Sequence, residues 1–402
     1  MKINSAALSY CTNIHGGESW AEHFAQLQLH VPKIKKEVSP NSSFGLGLRL
    51  AAQACTELAD PIVLADFKAW LLAQDCYVFT MNGFPYGDFH TKSVKDKVHF
   101  PDWTTDERSD YTINLFNILA QLLPAGLEGG ISTSPLSYRF WYEEDSDAWF
   151  AMRQRCTQHV LRVIAHLYAT EVETGVYMHL DMEPEPDGVL ENGAEFIAWY
   201  TQELIPAAVG YFKHLHSLDA EQAEALVKRY LQLCYDICHF AVAYENHDAI
   251  LAALQSAGIG VGKVQISAAL RIPLSADVAD REAKKKILTE FDEPIYLHQV
   301  VAQDKEGALT KYRDLAEALP ALHDEHIQEW RSHFHVPIFL GHYGRISSTQ
   351  SDIEKVLAIH KGAAISAHLE VETYTWNVLP QALQIPIEQS IVRELQWVKN
   401  QL

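Results

Sequence analysis

Short apolar runs rich in β-branched residues alternate along the chain with longer stretches that carry apolar residues on one helical face. That alternation predicts a parallel α/β fold. The predicted strands are Ala6–Cys11, Cys76–Met81, Gly130–Ser134, Gly175–Met182, Leu231–Ile237, Gly262–Ser267, Val336–Leu340 and Ala367–Tyr374. Eight parallel strands with intervening helices make a (β/α)8 TIM barrel. Outer helices are predicted over Asp60–Gln74, Thr105–Leu123, Asp145–Ala169, Glu191–His216 and Asp219–Tyr230. The plainest unit has Asn246 as N-cap, Ile250, Leu251 and Leu254 as its apolar face, and Gly258 as its stop. Ile295–Val300 is one more short apolar run, either a strand extension or part of a long loop. No Gly/Ser linker or low-complexity stretch divides the 402 residues, so residues 1–402 are expected to form a single barrel domain.

Charge narrows the function. With 32 basic and 52 acidic side chains the formal net charge is -20, which opposes a nucleic-acid or anionic-membrane surface. The six cysteines are widely spaced with no CxxC pair, as expected of reduced thiols in a cytoplasmic protein. No signal peptide is evident, and no apolar run approaches the roughly 18 residues that would span a bilayer. No GxGxxG, Walker, GxSxG or HExxH motif occurs, so dinucleotide, NTP, serine-hydrolase and zincin chemistry lack their signatures.

The candidate chemistry lies where apolar runs end. Cys234-Tyr-Asp236-Ile-Cys-His239 puts a carboxylate and an imidazole three residues apart, where they converge only if the backbone bends at the strand tip. His179, Asp181, Glu183 and Glu185 share one strand face, and Pro184 and Pro186 end the ladder near Glu183. His368, Glu370, Glu372 and Tyr374 repeat the pattern on the last strand, with Glu372 expected at the rim and Glu370 deeper. Rim carboxylates suit a divalent cation or proton transfer, whereas Glu185 also fits an ordinary solvated acidic loop. His298 ends a further apolar run, and His342 is a weaker rim candidate. His333 and His335 precede the predicted Val336 strand and are expected at the opposite end of the barrel. Three segments read as substrate loops, Cys11–Gly17, Asn82–His90 and Val94–Trp103, offering Asn13, His15, Asn82, Phe84, Tyr86 and Trp103, and Glu185 and Tyr374 at the strand ends join them as expected substrate-binding residues. Ordinary turn composition accounts for them equally well.

Six segments carry a family resemblance: Tyr10–His15, Gly83–Gly87, Glu183–Pro186, Cys234–Phe240, Val264–Ser267 and Leu369–Trp376. Taken in order, they resemble the EboE metabolite traffic proteins, a family of xylose-isomerase-like TIM barrels. The resemblance implies a divalent metal (Mn, Co, Zn or Mg) held by Glu183, Asp236 with His239, and Glu372. Gln265 stands where the superfamily places a histidine, and His298 is the imidazole that could replace it. Glu183 and Glu372 would be the catalytic pair of an isomerase or epimerase acting on a small polyhydroxylated metabolite or secondary-metabolite precursor. The family also implies a possible partner, a membrane prenyltransferase-like protein of the same pathway. Two other readings stand beside this one: a non-catalytic metabolite carrier, and a metal phosphodiesterase like endonuclease IV, which the acidic charge opposes.

Overall fold

The computed structural model describes residues 1–402 except 4, 88–94, 293 and 376–384, so His90, Val94 and Trp376 of the segments above lie outside the described residues. Eight parallel strands form the barrel: β1 (Ala6–Tyr10), β2 (Phe44–Arg49), β3 (Cys76–Asn82), β4 (Gly129–Thr133), β5 (Met178–Met182), β6 (Leu231–Asp236), β7 (Val261–Ile266) and β8 (His368–Val371). β2 through β7 pair in chain order, β7 pairs with β8, and β8 pairs with β1. A parallel bridge between Cys11 and Gly47 brings β1 against β2 and closes the cylinder. Lys2–Ile3 adds a short antiparallel strand outside β1.

Seven of the eight predicted strands coincide with barrel strands, and the eighth is a correction. Val336–Leu340 is not a strand; the missing one is β2, Phe44-Gly-Leu-Gly-Leu-Arg49. Its glycines read as turn signals in the sequence, but they make room inside the barrel. A Cβ on Gly45 would lie 2.7 Å from Phe79, and one on Gly47 would overlap the Glu370 carboxylate.

The predicted helices are present in order, and Trp20–Val38, Gln350–Gly362 and Ile387–Gln401 are helices that the sequence reading did not name. Asn246 caps His247–Ser256 by accepting from Ala249 N at 3.1 Å, and Gly258 turns the chain out at φ +67°. Within the predicted Glu191–His216 helix, one π turn at Tyr200–Leu204 precedes Pro206, which has no N–H for the regular ladder. Among the described residues no helix is long and apolar enough to cross a membrane.

Between β7 and the helix Gln350–Gly362 the chain inserts a six-stranded antiparallel sheet. Its central strands are Val300–Asp304, Ile327–Ser332 and Leu270–Pro273. The sheet leaves from the C-terminal end of β7, so it stands at the end of the barrel where the strand-tip acids gather. Trp330 and Ile272 from this sheet belong to the same buried apolar cluster as Leu369 of β8.

Candidate metal centre

β6 runs into the helix Ile237–Val242 with no intervening loop, and Asp236 caps that helix. This is the bend that the Asp236–His239 spacing required. Asp236 Oδ1 accepts from His239 N at 3.1 Å and from Ser267 Oγ at 2.7 Å. Glu183 lies one residue beyond β5, held by its N–H to Thr133 O at 3.0 Å. Glu372 lies one residue beyond β8, and its Oε1 accepts from Asn13 Nδ2 at 2.6 Å and Asn82 Nδ2 at 2.8 Å. Two amides, one just after β1 and one at the end of β3, thus orient the acid that follows β8.

The three acids meet. Ligand atoms of Glu183, Asp236 and Glu372 all lie within 4.8 Å of one another, and Asp236, His239 and His335 form an overlapping group. All three carboxylates are buried. Burial, then Glu372 and Asp236, push Glu183 well above the ordinary carboxylate range. Burial, then Asp236 and Glu370, do the same to Glu372. For Asp236 burial opposes ionisation, but His239, His335 and the two hydrogen bonds outweigh it and hold the carboxyl below its ordinary value. Among the described residues Glu183 Oε2, Asp236 Oδ2 and His335 Nε2 have no hydrogen-bond partner.

His335 is the group that sequence reasoning misplaced. It lies at the end of the barrel where the three acids meet, because Val336 begins no barrel strand and the chain there returns from the inserted sheet across the mouth. Its Nδ1 is 3.2 Å from the Glu372 carbonyl, an acceptor, so Nδ1 carries the proton and Nε2 keeps a lone pair. Burial pulls the ring to about 4, which keeps it neutral at ordinary pH. His333 is also at the mouth, with its Nε2 3.1 Å from His239 Nε2 and its Nδ1 2.8 Å from Gln299 Oε1. His239 Nδ1 in turn lies 3.0 Å from the Pro184 carbonyl.

Other expected ligands are placed differently. His298 stacks on Phe334 at 3.7 Å and turns Nδ1 to the His333 carbonyl, so it is not among the converging groups. Gln265 is fully buried beside Asp236 in the β6–β7 register, and neither amide atom has a hydrogen-bond partner. His342 is exposed on a short strand of the inserted sheet.

Above the acids lies a cavity of about 70 Å³. Of the expected substrate residues Asn13, Asn82, Phe84, Glu185 and Tyr374 line it, together with Glu183, His239 and Glu372. Three others do not. His15 pairs with the Tyr10 hydroxyl and stacks on His30, Trp103 donates to Ser134 O from the core, and Tyr86 packs edge-on against Tyr111. The cavity wall also includes His99, Tyr296, Gln299 and His333, none of which stood out in the sequence as a wall residue. His99 Nε2 lies 3.0 Å from Glu185 Oε1, so Glu185 is a partnered wall residue.

The donor set fits a divalent cation. Among the described residues the three crowded, buried carboxylates have no Lys or Arg in an ion pair with them, and carboxylate and imidazole groups point into one space. Glu183, Asp236, Glu372 and His335 would hold the ion, with His239 and Gln265 within reach of the same group of side chains.

No protein-family model matches the chain, and no curated protein matches it. Solved structures of similar shape include the IolI protein with a bound zinc atom, at 12% identity over 98% of this chain and 96% of that one, TM-score 0.46. A D-tagatose 3-epimerase-like protein has the same identity, coverage and score. The probable 3-DHS dehydratase AsbF of petrobactin synthesis, from Bacillus anthracis, matches at 10% identity over 97% of each chain, TM-score 0.44. At such identities a likeness concerns the fold, and the chemistry is read from this chain's own residues.

Proposed function

We propose that the protein is a divalent-metal-dependent isomerase or epimerase acting on a small polyhydroxylated metabolite. The observation that carries this reading is the meeting of Glu183, Asp236 and Glu372 under one cavity, with His335 adding a neutral imidazole. A bound divalent cation would polarise adjacent carbonyl and hydroxyl oxygens and acidify the C–H between them. Glu183 and Glu372 come from strands on different sides of the barrel, so each can exchange a proton with one face of a substrate carbon. Burial and the neighbouring carboxylates raise both above the ordinary carboxylate range in the absence of an ion. Asn13 and Asn82 fix the Glu372 carboxyl in place. His239, fixed by the Pro184 carbonyl and by His333, lines the cavity with Phe84 and Tyr374, which wall the space from water.

The test is solvent exchange. Metal-loaded protein incubated in D2O with a panel of ketoses and hydroxy ketones should place deuterium at the carbon between carbonyl and hydroxyl, followed by NMR. Glu372→Gln should lower that exchange at least ~100-fold while its melting temperature stays near wild type. Wild-type exchange in Glu372→Gln would remove the proposed role.

The finer assignment, to the EboE metabolite traffic proteins and to a secondary-metabolite precursor passed to a membrane prenyltransferase-like partner, rests on the six sequence segments. Co-purification of the two proteins from detergent extracts tests it; failure of the pair to associate at micromolar concentration would count against it.

A further inference from the structure

The opposite end of the barrel holds a second cluster that the proposed reaction does not use. His179 is the second residue of β5, His368 the first of β8, and Glu128 immediately precedes β4. All three therefore stand at the floor. Glu183 follows His179 by four residues just past the end of β5, and Glu372 follows His368 by four just past the end of β8, which at about 3.3 Å per residue separates floor from mouth by roughly 13 Å. Ligand atoms of Glu128, His179 and His368 lie within 4.8 Å of one another.

Hydrogen bonding decides which nitrogen of each ring is free. His179 Nδ1 lies 2.6 Å from Asp181 Oδ1, so Nδ1 carries the proton and Nε2 keeps its lone pair. His368 Nε2 lies 3.2 Å from the Glu128 carbonyl, which can only accept, so that ring keeps its lone pair on Nδ1. Among the described residues neither nitrogen, His179 Nε2 nor His368 Nδ1, has a hydrogen-bond partner, and both side chains are at most 2% exposed. An orphaned buried lone pair is costly, and two in adjacent rings call for a shared acceptor of electron pairs. An imidazole whose other nitrogen is held by a carboxylate is also the usual arrangement behind a metal-bound histidine.

Space and charge agree. Gly130 faces the rings, and a Cβ there would lie 2.5 Å from His179 Cε1 and 2.9 Å from His368 Nδ1. The Glu128 carboxylate reaches the two rings and Asp181 holds His179 from behind, so acidic groups stand on two sides of the cluster. A cavity of about 80 Å³ is lined by Glu128 and His368 of the cluster.

We propose that the barrel floor is a second divalent-cation site of the zinc class, with Glu128, His179 and His368 as ligands and Asp181 as the positioning residue for His179. Two imidazole nitrogens and one carboxylate, with a cavity alongside, are donors that zinc takes readily. The floor of such a barrel ordinarily serves stability, so the ion's expected effect is on folding.

The test uses full-length, chelator-stripped protein dialysed against zinc chloride, with bound zinc measured by elemental analysis and melting temperature recorded in parallel. Asp236→Asn disables the mouth and should still retain about one zinc per chain and a raised melting temperature. Adding His368→Gln to that variant should remove the ion. Should that combination not fold, Glu128→Gln, at a half-buried position, should weaken zinc binding at least ~10-fold. No zinc on Asp236→Asn, or zinc that survives both floor substitutions, overturns the proposal. If only the mouth reading fails, wild type and Asp236→Asn bind the same single zinc, and the floor substitutions still remove it.

Discussion

Glu394 illustrates how a single buried group sets a pH dependence. It is 1% exposed on the C-terminal helix, accepting from Thr373 Oγ1 at 2.7 Å and Ile338 N at 3.2 Å. Burial pushes its carboxyl from 4.5 up to about 7, against the pull of those two hydrogen bonds. A folded-state value above the unfolded one means the neutral form is favoured by folding. Its stabilising contribution is present below about 4.5 and is lost as pH rises through about 7. Glu394→Gln keeps the acceptor oxygen and removes the charge. It should raise stability at pH 8 by about 2–3 kcal/mol and change it little at pH 4, read from denaturant melts at both pH values. An equal effect at the two pH values would show that Glu394 ionises freely. At the mouth the same reasoning separates two histidines. His335 keeps an unpartnered Nε2 beside Asp236, whereas His298 is taken up by stacking on Phe334 and by the His333 carbonyl.

Strand β2 shows what an element gives up to serve a polar interior. Gly47 lets the Glu370 carboxylate enter the barrel and reach Lys263, whose ammonium also bonds Met81 O at 2.9 Å. A buried pair of this kind is held by its geometry, and losing one partner leaves an uncompensated charge. Gly47→Ala should therefore destabilise by about 1–3 kcal/mol through overpacking. Gly210 is exposed in the helix Ile205–His216, and a Cβ added there would meet nothing within 4 Å. Gly210→Ala should stabilise by about 0.4–1 kcal/mol. Chemical denaturation of the two variants decides the matter, and a neutral Gly47→Ala would mean that Glu370 can leave the interior cheaply.

Across the whole molecule, the features legible in the sequence are those that follow local periodicity. Seven barrel strands, the six helices named between Asp60 and Gly258, and the strand-tip positions of Glu183, Asp236 and Glu372 all follow from alternation, caps and prolines near the residues concerned. β2 is illegible because its glycines answer to Glu370 and Phe79, which are remote in sequence. The inserted sheet is illegible for a related reason. Its short antiparallel strands pair across long loops, and that pairing, not any local signal, carries His333 and His335 back over the mouth. The proposed chemistry depends on the mouth being a metal centre built from three separate strand ends and that returning loop. The most direct check is calorimetric titration of cobalt(II) or manganese(II) into chelator-stripped protein, comparing wild type with Asp236→Asn and His335→Ala. The expected result is one mouth-site ion in wild type, its loss in Asp236→Asn, and affinity at least ~10-fold weaker in His335→Ala. Identical titration curves for all three proteins would contradict a metal centre at the mouth.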